Sequence, residues 1–328
     1  MRFRCRELSS IDYFDIHGIS LEIITDQARV RSPLVKNLSF FSCARKPASP
    51  SRITFHIDRV NNFQALKSVF PDLSQPISSA GDLKYFLEGR MIYLTYPFMM
   101  LVVGDLDALT AHAYVHEEFL ETSWNIFQYV FSPVFLELLK ETGLFHIHAG
   151  AVSLNGKGMF FPGATGSGKT TLSLSLVRQG FSFLSDDISF VNRMSSGKVE
   201  LLSFPQPVQC WQKTIGFFSE LHGLLKKGNE IFKTAIPLEE AYPGSTISST
   251  VPSVMILPKV NGTSTSSLTK IDRNEALLEL IPQSIIVANR EIVKEHLSLL
   301  TDLIYQCDCY RLFMGKDCND LSEIIGSL

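Results

Sequence analysis

Residues 163–170 form a glycine-rich run whose spacing matches G-x-x-x-x-G-K-[ST] in full. The run is Gly163-Ala164-Thr165-Gly166-Ser167-Gly168-Lys169-Thr170, and Thr171 follows it. Glycines allow successive backbone N–H groups to converge on one anionic phosphate, a conformation that bulky side chains obstruct. Lys169 can reach the β and γ oxygens of a triphosphate, and the Thr170 hydroxyl can ligate Mg²⁺. The run, together with Thr171, therefore predicts a P-loop that binds a triphosphate such as ATP with Mg²⁺.

Two adjacent carboxylates, Asp186 and Asp187, end an apolar segment that follows this loop and its helix. A right-handed crossover predicts that the segment runs parallel to the strand before the loop and ends beside the phosphates. One carboxylate can hold Mg²⁺, and the other can accept the proton of an attacking hydroxyl. Neighbours on a regular strand face opposite ways, so both can act only where the strand ends or bends. The sequence leaves open which Asp is the base, and a solvated Asp-Asp turn is the alternative interpretation.

The elements around these residues follow from periodicity and turn residues. The predicted order is a strand at Leu144–Leu154, a type I′ turn at Asn155-Gly156, a strand at Met159–Phe161, a helix at Thr170–Arg178 with Gly180 at C′, and a strand at Phe181–Val191. Further strands are predicted near 251–257, 267–271 and 310–313, with helices at 275–280, 290–305 and 320–325. This alternation indicates an α/β architecture for the C-terminal half.

The N-terminal part carries no chemical motif. Strands are predicted at Asp15–Ile24 and Ile53–Val60, a strand–turn–strand within Met91–Val103, and a mostly helical connector at Glu118–Thr142. We therefore divide the chain into a smaller α+β domain at 1–125, which would help to select the substrate, and a P-loop domain at 126–328.

Composition limits the classes of partner and the compartment. The net charge of −3 over 328 residues does not suggest binding to nucleic acid or to an anionic membrane. The N-terminus lacks the apolar region of a signal peptide, and the six cysteines are scattered, which predicts a cytoplasmic protein with reduced thiols. Cys307, Cys309 and Cys318 lack a paired second half of a metal site and are expected to be buried thiols. Trp124 and Trp211 are expected to be packing residues.

A histidine-bearing strand, a hairpin, a P-loop, a helix and an Asp-Asp strand follow one another within residues 145–190. This combination resembles the C-terminal catalytic domain of HPr kinase/phosphorylase, to which ATP-type phosphoenolpyruvate carboxykinases are more distantly related. The resemblance implies a kinase domain with a mixed sheet, dependent on ATP and Mg²⁺, that phosphorylates a serine of a protein or peptide. It also suggests a homo-oligomer.

The resemblance assigns roles to individual residues. It implies Lys169 on phosphate, Thr170 on Mg²⁺, Asp186 and Asp187 shared between metal binding and general base, and His148 near the phosphates. The N-terminal half and the segment after residue 191 lack the usual family features, so HPr as substrate and reverse phosphorolysis do not follow. The chain is more similar to HPr-kinase-related kinases found beside peptide-modifying or cell-surface polymer genes.

Weaker candidates lie outside these motifs. His146 and His148 would share one face of their strand, where buried, hydrogen-bonded histidines are the alternative. Lys226, Lys227 and Lys233 lie in a polar segment that could be a mobile lid with a cation for the transferring phosphoryl group, or a solvated basic loop. Lys233 is preferred because an apolar stretch follows it.

The sequence favours a kinase whose acceptor is a serine of a protein or peptide, or a small hydroxylated metabolite. The alternative is a nucleotide-binding regulatory or assembly protein with weak ATPase activity. The Asp186-Asp187 pair favours the kinase.

Overall fold

The computed structural model describes residues 10–61, 73, 75–121, 125–224, 233–261, 265–284, 290–315, 320–326 and 328. The chain separates into two units, Met1–Gly143 and Leu144–Leu328. Residues 126–143 therefore group with the N-terminal unit, and not with the C-terminal one as the expected boundary had it. The physical reason is close packing: a Cβ on Gly104 would lie 2.8 Å from Cγ1 of Val134, which is buried.

The N-terminal unit is a nine-stranded mixed sheet with helices. Its elements are β1 (Ser10–Ile16), β2 (Ile19–Thr25), α1 (Ala28–Asn37), β3 (Ser42–Cys43), β4 (Arg52–Val60), β5 (Ser78–Ala80), β6 (Leu83–Glu88), β7 (Met91–Tyr96), β8 (Met100–Asp105), β9 (Thr110–His116), α2 (Glu117–Glu121) and α3 (Ser132–Lys140), with a π-helical turn at Phe127–Phe131 before α3. The strand order is β3-β1-β2-β4-β9-β8-β7-β6-β5, and β4 is parallel to both of its neighbours.

Alternating apolar residues explain how this sheet buries one face. Ile53, Phe55 and Ile57 of β4 are fully buried, as period-2 patterning requires. The single strand expected at Asp15–Ile24 is wrong, because the chain reverses at His17-Gly18, where φ is 53° and 88°. β1 and β2 are thus the two arms of a hairpin.

The C-terminal unit alternates strands with helices. Its elements are β10 (Phe145–Ile147), β11 (Ala149–Leu154), β12 (Lys157–Pro162), α4 (Lys169–Arg178), β13 (Ser182–Ser185), β14 (Ser189–Arg193), β15 (Val199–Leu202), β16 (Val208–Cys210), α5 (Gln212–Ile215), β17 (Thr234–Ile236), α6 (Leu238–Ala241), β18 (Ser249–Val260), β19 (Ser267–Lys270), α7 (Arg273–Leu280), α8 (Arg290–Gln306), β20 (Asp308–Met314) and α9 (Leu321–Gly326). The α/β architecture expected for this half is confirmed, and its sheet is mixed.

The long strand β18 connects the sheet of this unit. It pairs in parallel with β12 and β20, and its first residues pair antiparallel with β15. One run of strands is therefore β19-β20-β18-β12-β11-β13, and β10-β14-β15 joins it at β18. Since β12 and β13 are both antiparallel to β11, they run in the same direction with β11 between them. β16 and β17 form a separate two-stranded ribbon.

Two apolar clusters cover the two faces of the sheet. Met159 and Phe161 of β12 belong to the cluster that includes the buried leucines of α4. Phe160, which points the opposite way, belongs to the cluster that includes the buried leucines of α8. Full burial of each such side chain contributes roughly 1.5–3 kcal/mol. The strand before the glycine-rich loop is thus held from both sides. No helix within the described ranges is long and apolar enough to cross a bilayer.

Two turns around β12 follow from their residues. Asn155 and Gly156 have φ of 51° and 79°, as a type I′ turn requires, and join β11 to β12. At the end of α4, Gly180 has a φ of 91° and its N–H donates to the Val177 carbonyl. The Phe181 N–H donates to the Leu176 carbonyl, which completes a Schellman motif.

Two strands expected to be continuous are interrupted. The strand expected at Leu144–Leu154 breaks at His148, whose N–H donates to the Gln283 carbonyl at 2.7 Å outside the sheet. His146 and His148 therefore do not share a strand face. The strand expected at Phe181–Val191 ends at Ser185 and resumes at Ser189, so Asp186 and Asp187 lie in a bend.

The close pairing of β12 with β18 depends on a glycine. A Cβ on Gly158 would lie 2.5 Å from Thr250 Cγ2 and 3.0 Å from backbone atoms of Val251 and Pro252. Gly158→Ala is expected to lower the free energy of unfolding by about 1–3 kcal/mol, measured by urea denaturation. The control is Gly223→Ala, where nothing lies within 4 Å of the added Cβ. Equal stability of the two variants would contradict the close packing.

Candidate functional site

The glycine-rich loop connects the end of β12 to the start of α4. Gly166 and Gly168 have φ of 87° and 107°, values that L side chains rarely adopt. A Cβ on Gly163 would lie 2.8 Å from Ser167 Oγ, and one on Gly168 would lie 2.6 Å from Met314 Sδ. The positive φ values require glycine at 166 and 168, and a side chain at 163 would displace the Ser167 hydroxyl. The N-terminus of the ten-residue helix α4 lies directly after the loop and favours an anion there.

The Lys169 ammonium lies on the loop that precedes it. Its Nζ donates to the Gly163 carbonyl at 2.5 Å and to the Ala164 carbonyl at 3.3 Å. The residue is buried, and burial lowers the pKa of Lys169, while the charges of Asp187 and Asp186 act in the opposite direction. The cation is therefore held close to both the loop and the carboxylate pair.

The hydroxyl of Thr170 joins the start of α4 to the bend after β13. Its Oγ1 donates to Asp186 Oδ2 at 2.8 Å. The other carboxylate oxygen, Oδ1, is buried and has no hydrogen-bond partner within the described part of the chain. Ser185 and Ser189 hydrogen-bond to each other across the bend, and Ser189 Oγ donates to the Ala149 carbonyl at 3.0 Å. The bend that carries Asp186 is thus fixed on both sides.

The environment of Asp186 disfavours the ionised form of its carboxylate. Burial raises the pKa of Asp186 to about 6, and the nearby charge of Asp187 adds to this effect. The hydrogen bond from Thr170 and the charges of Lys169 and Lys233 act in the opposite direction. An unpartnered buried oxygen on an acid of this kind is the arrangement that a cation would relieve.

Asp187 faces solvent and pairs with His148. Its Oδ1 lies 3.1 Å from His148 Nε2, and its side chain is 64% exposed. Burial lowers the pKa of His148, as do the charges of Lys169 and Lys233, while Asp187 opposes them. The two carboxylates therefore differ in environment: one is buried against Thr170, and the other is accessible beside an imidazole.

Lys233 lies directly before β17. Its Nζ is 5.6 Å from the centroid of the Trp211 ring, within the range of a cation–π contact. Its charge influences the pKa of His148, Lys169 and Asp186, which places the ammonium within electrostatic reach of the site. Trp211 is 45% exposed, so the expectation that it is a packing residue is wrong. Lys226, Lys227 and Trp124 lie outside the described residues.

The described residues contain no group of three His, Cys, Asp or Glu side chains that could enclose a metal ion. Mg²⁺ does not need such a cage, because it commonly takes one or two carboxylates together with substrate phosphates and water. The Thr170 hydroxyl and the unpartnered Oδ1 of Asp186 fit this requirement beside the loop. Cys307 and Cys309 are buried free thiols, as expected, and Cys318 lies outside the described residues.

Three features of the site were not identified from the sequence. Trp211 faces Lys233 only through the β16–β17 pairing, which no local pattern indicates. Gly150 allows α4 to approach β11, since a Cβ there would lie 2.8 Å from Ser173 Oγ. Ser185 and Ser189 flank the carboxylate pair at a spacing of four residues, and that spacing around a predicted bend was the available signal. His146 lies on β10 opposite Phe190.

Comparison with known proteins does not identify a family for this chain. No protein-family model matches the sequence, and no curated protein is significantly similar to it. Among solved structures, the HPr(Ser) kinase/phosphatase from Coxiella burnetii matches 47% of this chain and 93% of its own, with 13% identity and a TM-score of 0.25. Membership of the HPr-kinase-like family stays a prediction.

The raised pKa of Asp186 predicts how stability depends on pH. Because the folded state resists ionisation of this acid, its destabilising effect is absent below about pH 4 and complete above about pH 6. Without ligand, Asp186→Asn is expected to raise the free energy of unfolding by roughly 1–3 kcal/mol at pH 8 and to have little effect at pH 4. Urea denaturation at both pH values measures this difference.

The matched control is Asp187→Asn, which changes the exposed neighbour. It is expected to alter stability by less than about 0.5 kcal/mol, because an exposed ion pair contributes little. A loss of stability in Asp186→Asn at pH 8 would show that burial does not disfavour the ionised form of this carboxylate.

Proposed function

We propose that this chain is an ATP- and Mg²⁺-dependent kinase that transfers the γ-phosphate to a hydroxyl, a serine of a protein or peptide. In this proposal residues 144–328 are a P-loop kinase domain of the HPr kinase/phosphoenolpyruvate carboxykinase type, and the N-terminal unit selects the substrate. The observation that carries the proposal is the Thr170 hydroxyl donating to a buried carboxylate that keeps one oxygen unpartnered. This contact lies at the first turn of a helix that follows a glycine-rich loop.

The glycine-rich loop and Lys169 would bind the phosphates. Backbone N–H groups of 163–171 and the N-terminus of α4 attract the β and γ oxygens of ATP. The Lys169 ammonium exchanges its contacts with the Gly163 and Ala164 carbonyls for these oxygens. Because the residue is buried, its attraction to phosphate is screened little by water.

Thr170 and Asp186 would hold the metal. Mg²⁺ held by these residues would supply positive charge that offsets the charge of the phosphates. The carboxylate of Asp186 has to be ionised for this role, and a neighbouring cation favours that state. The assignment rests on the contact between Thr170 and Asp186 and on the unpartnered Oδ1.

Asp187 would accept the proton of the attacking hydroxyl. It is exposed, so an acceptor carried on a protein or peptide can approach it, and His148 orients it from 3.1 Å. Lys233 supplies a further positive charge toward the transferring phosphoryl group. The chain thus contributes mainly placement and electrostatic stabilisation to an in-line transfer.

The first test is acceptor-dependent ADP release. The full chain with ATP and Mg²⁺ is expected to release ADP slowly alone and much faster when a cell extract supplies the acceptor, with phosphoserine formed. Lys169→Ala is expected to lose this activity, because the buried cation that would contact the phosphates is removed. The control Lys213→Ala, which replaces an exposed lysine of α5, is expected to retain it. A low rate unchanged by extract supports a nucleotide-binding regulatory protein, and a dialysable acceptor supports a metabolite kinase.

The second test separates nucleotide binding from transfer. Asp187→Asn is expected to bind ATP with Mg²⁺ within about threefold of the wild-type affinity, because Asp187 lies on the exposed side of the site. Its transfer rate is expected to fall by about 10²–10⁴-fold, the usual effect of removing a general base. Isothermal titration and single-turnover phosphate transfer measure the two quantities. Normal transfer in this variant would shift the base to Asp186.

A further inference from the structure

Trp211 is an exposed tryptophan in a rigid position. It follows β16 directly and precedes α5, and the Ile215 N–H donates to its carbonyl at 3.1 Å. The residues on either side are anchored, since Cys210 is fully buried and Gln212 Nε2 donates to Thr234 Oγ1 at 2.8 Å. The ring nevertheless remains 45% exposed, so part of its surface is accessible to other groups.

The ribbon register sets Trp211 opposite Lys233. Cys210 pairs with Thr234 in the antiparallel β16–β17 ribbon, and the next position on each strand is Trp211 and Lys233. The Lys233 ammonium lies 5.6 Å from the ring centroid. The ring face of Trp211 thus forms a cation–π contact with this ammonium.

The same ammonium is within electrostatic reach of the phosphate site. Its charge acts on His148, Lys169 and Asp186, and also on the buried thiol of Cys210 beside the ring. A lysine side chain has four flexible carbons and loses much conformational freedom when it is fixed on a phosphoryl group. A fixed aromatic face that already orients the ammonium reduces this loss.

We propose that Trp211 is a positioning residue whose ring face holds the Lys233 ammonium at the edge of the phosphate site. Lys233 thereby meets the transferring phosphoryl group already oriented. This inference rests on the proposed function for its effect on rate, while the contact itself stands independently of it.

The kinetic test compares variants of the full chain. Trp211→Leu keeps apolar bulk but removes the aromatic face, and is expected to lower kcat by about 3- to 30-fold with KM for ATP nearly unchanged. Trp211→Phe keeps an aromatic face and is expected to retain at least about half of the wild-type kcat. Lys233→Met is expected to lower kcat at least as much, and adding Trp211→Leu to it is expected to change nothing further.

Three kinetic results would overturn the inference in an active enzyme. The first is a wild-type kcat in Trp211→Leu, and the second is an equal fall of kcat in Trp211→Phe and Trp211→Leu. The third is a double variant whose fall in kcat equals the product of the falls in Trp211→Leu and Lys233→Met. Lys213→Met is the charge-matched control, because Lys213 is an exposed lysine on α5, and it is expected to keep wild-type kcat.

A fluorescence test does not depend on activity. The chain has two tryptophans, so Trp124→Phe leaves Trp211 as the sole tryptophan emitter. In this background Lys233→Met is expected to change the Trp211 emission, and Mg²⁺ with inorganic triphosphate is expected to give a saturable change that Lys233→Met removes. Emission indifferent to both would overturn the inference. Absence of any phosphate transfer alongside the expected emission changes would reject the proposed function and keep the contact.

Discussion

The structure of the candidate site depends on one hydrogen bond, from the Thr170 hydroxyl to the carboxylate of Asp186. It connects the first turn of α4 to the bend after β13, the strand that follows this helix in the chain. The approach is possible because Gly150 on β11 has no side chain: a Cβ there would lie 2.8 Å from Ser173 Oγ and 3.3 Å from the Asp186 carbonyl oxygen. A larger residue on β11 would separate the helix from the strand end and with it the hydroxyl from the acid.

The charges around this bond oppose one another. A buried carboxylate with one unpartnered oxygen lies near Lys169 and Lys233, and the N-terminus of α4 adds positive potential. These cations do not fully offset the cost of burial, since the pKa of Asp186 is still raised to about 6. In the proposed kinase, a metal cation and the phosphates of ATP would each satisfy groups that the protein alone leaves poorly matched.

Local sequence patterns were sufficient to predict part of this structure. The glycine positions, the Asn155-Gly156 turn and the end of α4 at Gly180 follow from backbone requirements of single residues, and the structure has them at those places. The breaks at His148 and after Ser185 did not follow, because they depend on contacts with distant segments, such as the Gln283 carbonyl that accepts from the His148 N–H. The same holds for the facing pair of the β16–β17 ribbon, and for α3, which groups with the N-terminal unit through tertiary packing.

The edge strands of the N-terminal sheet affect how copies of this chain could associate. Its two outermost strands, β3 and β5, contain two and three residues, whereas the inner strand β4 contains nine. Strands this short expose few free backbone N–H and C=O groups, so within the described part of the chain they are poor templates for adding another strand. Addition of a further strand to β3 or β5 is therefore disfavoured as a way for two copies of this unit to associate.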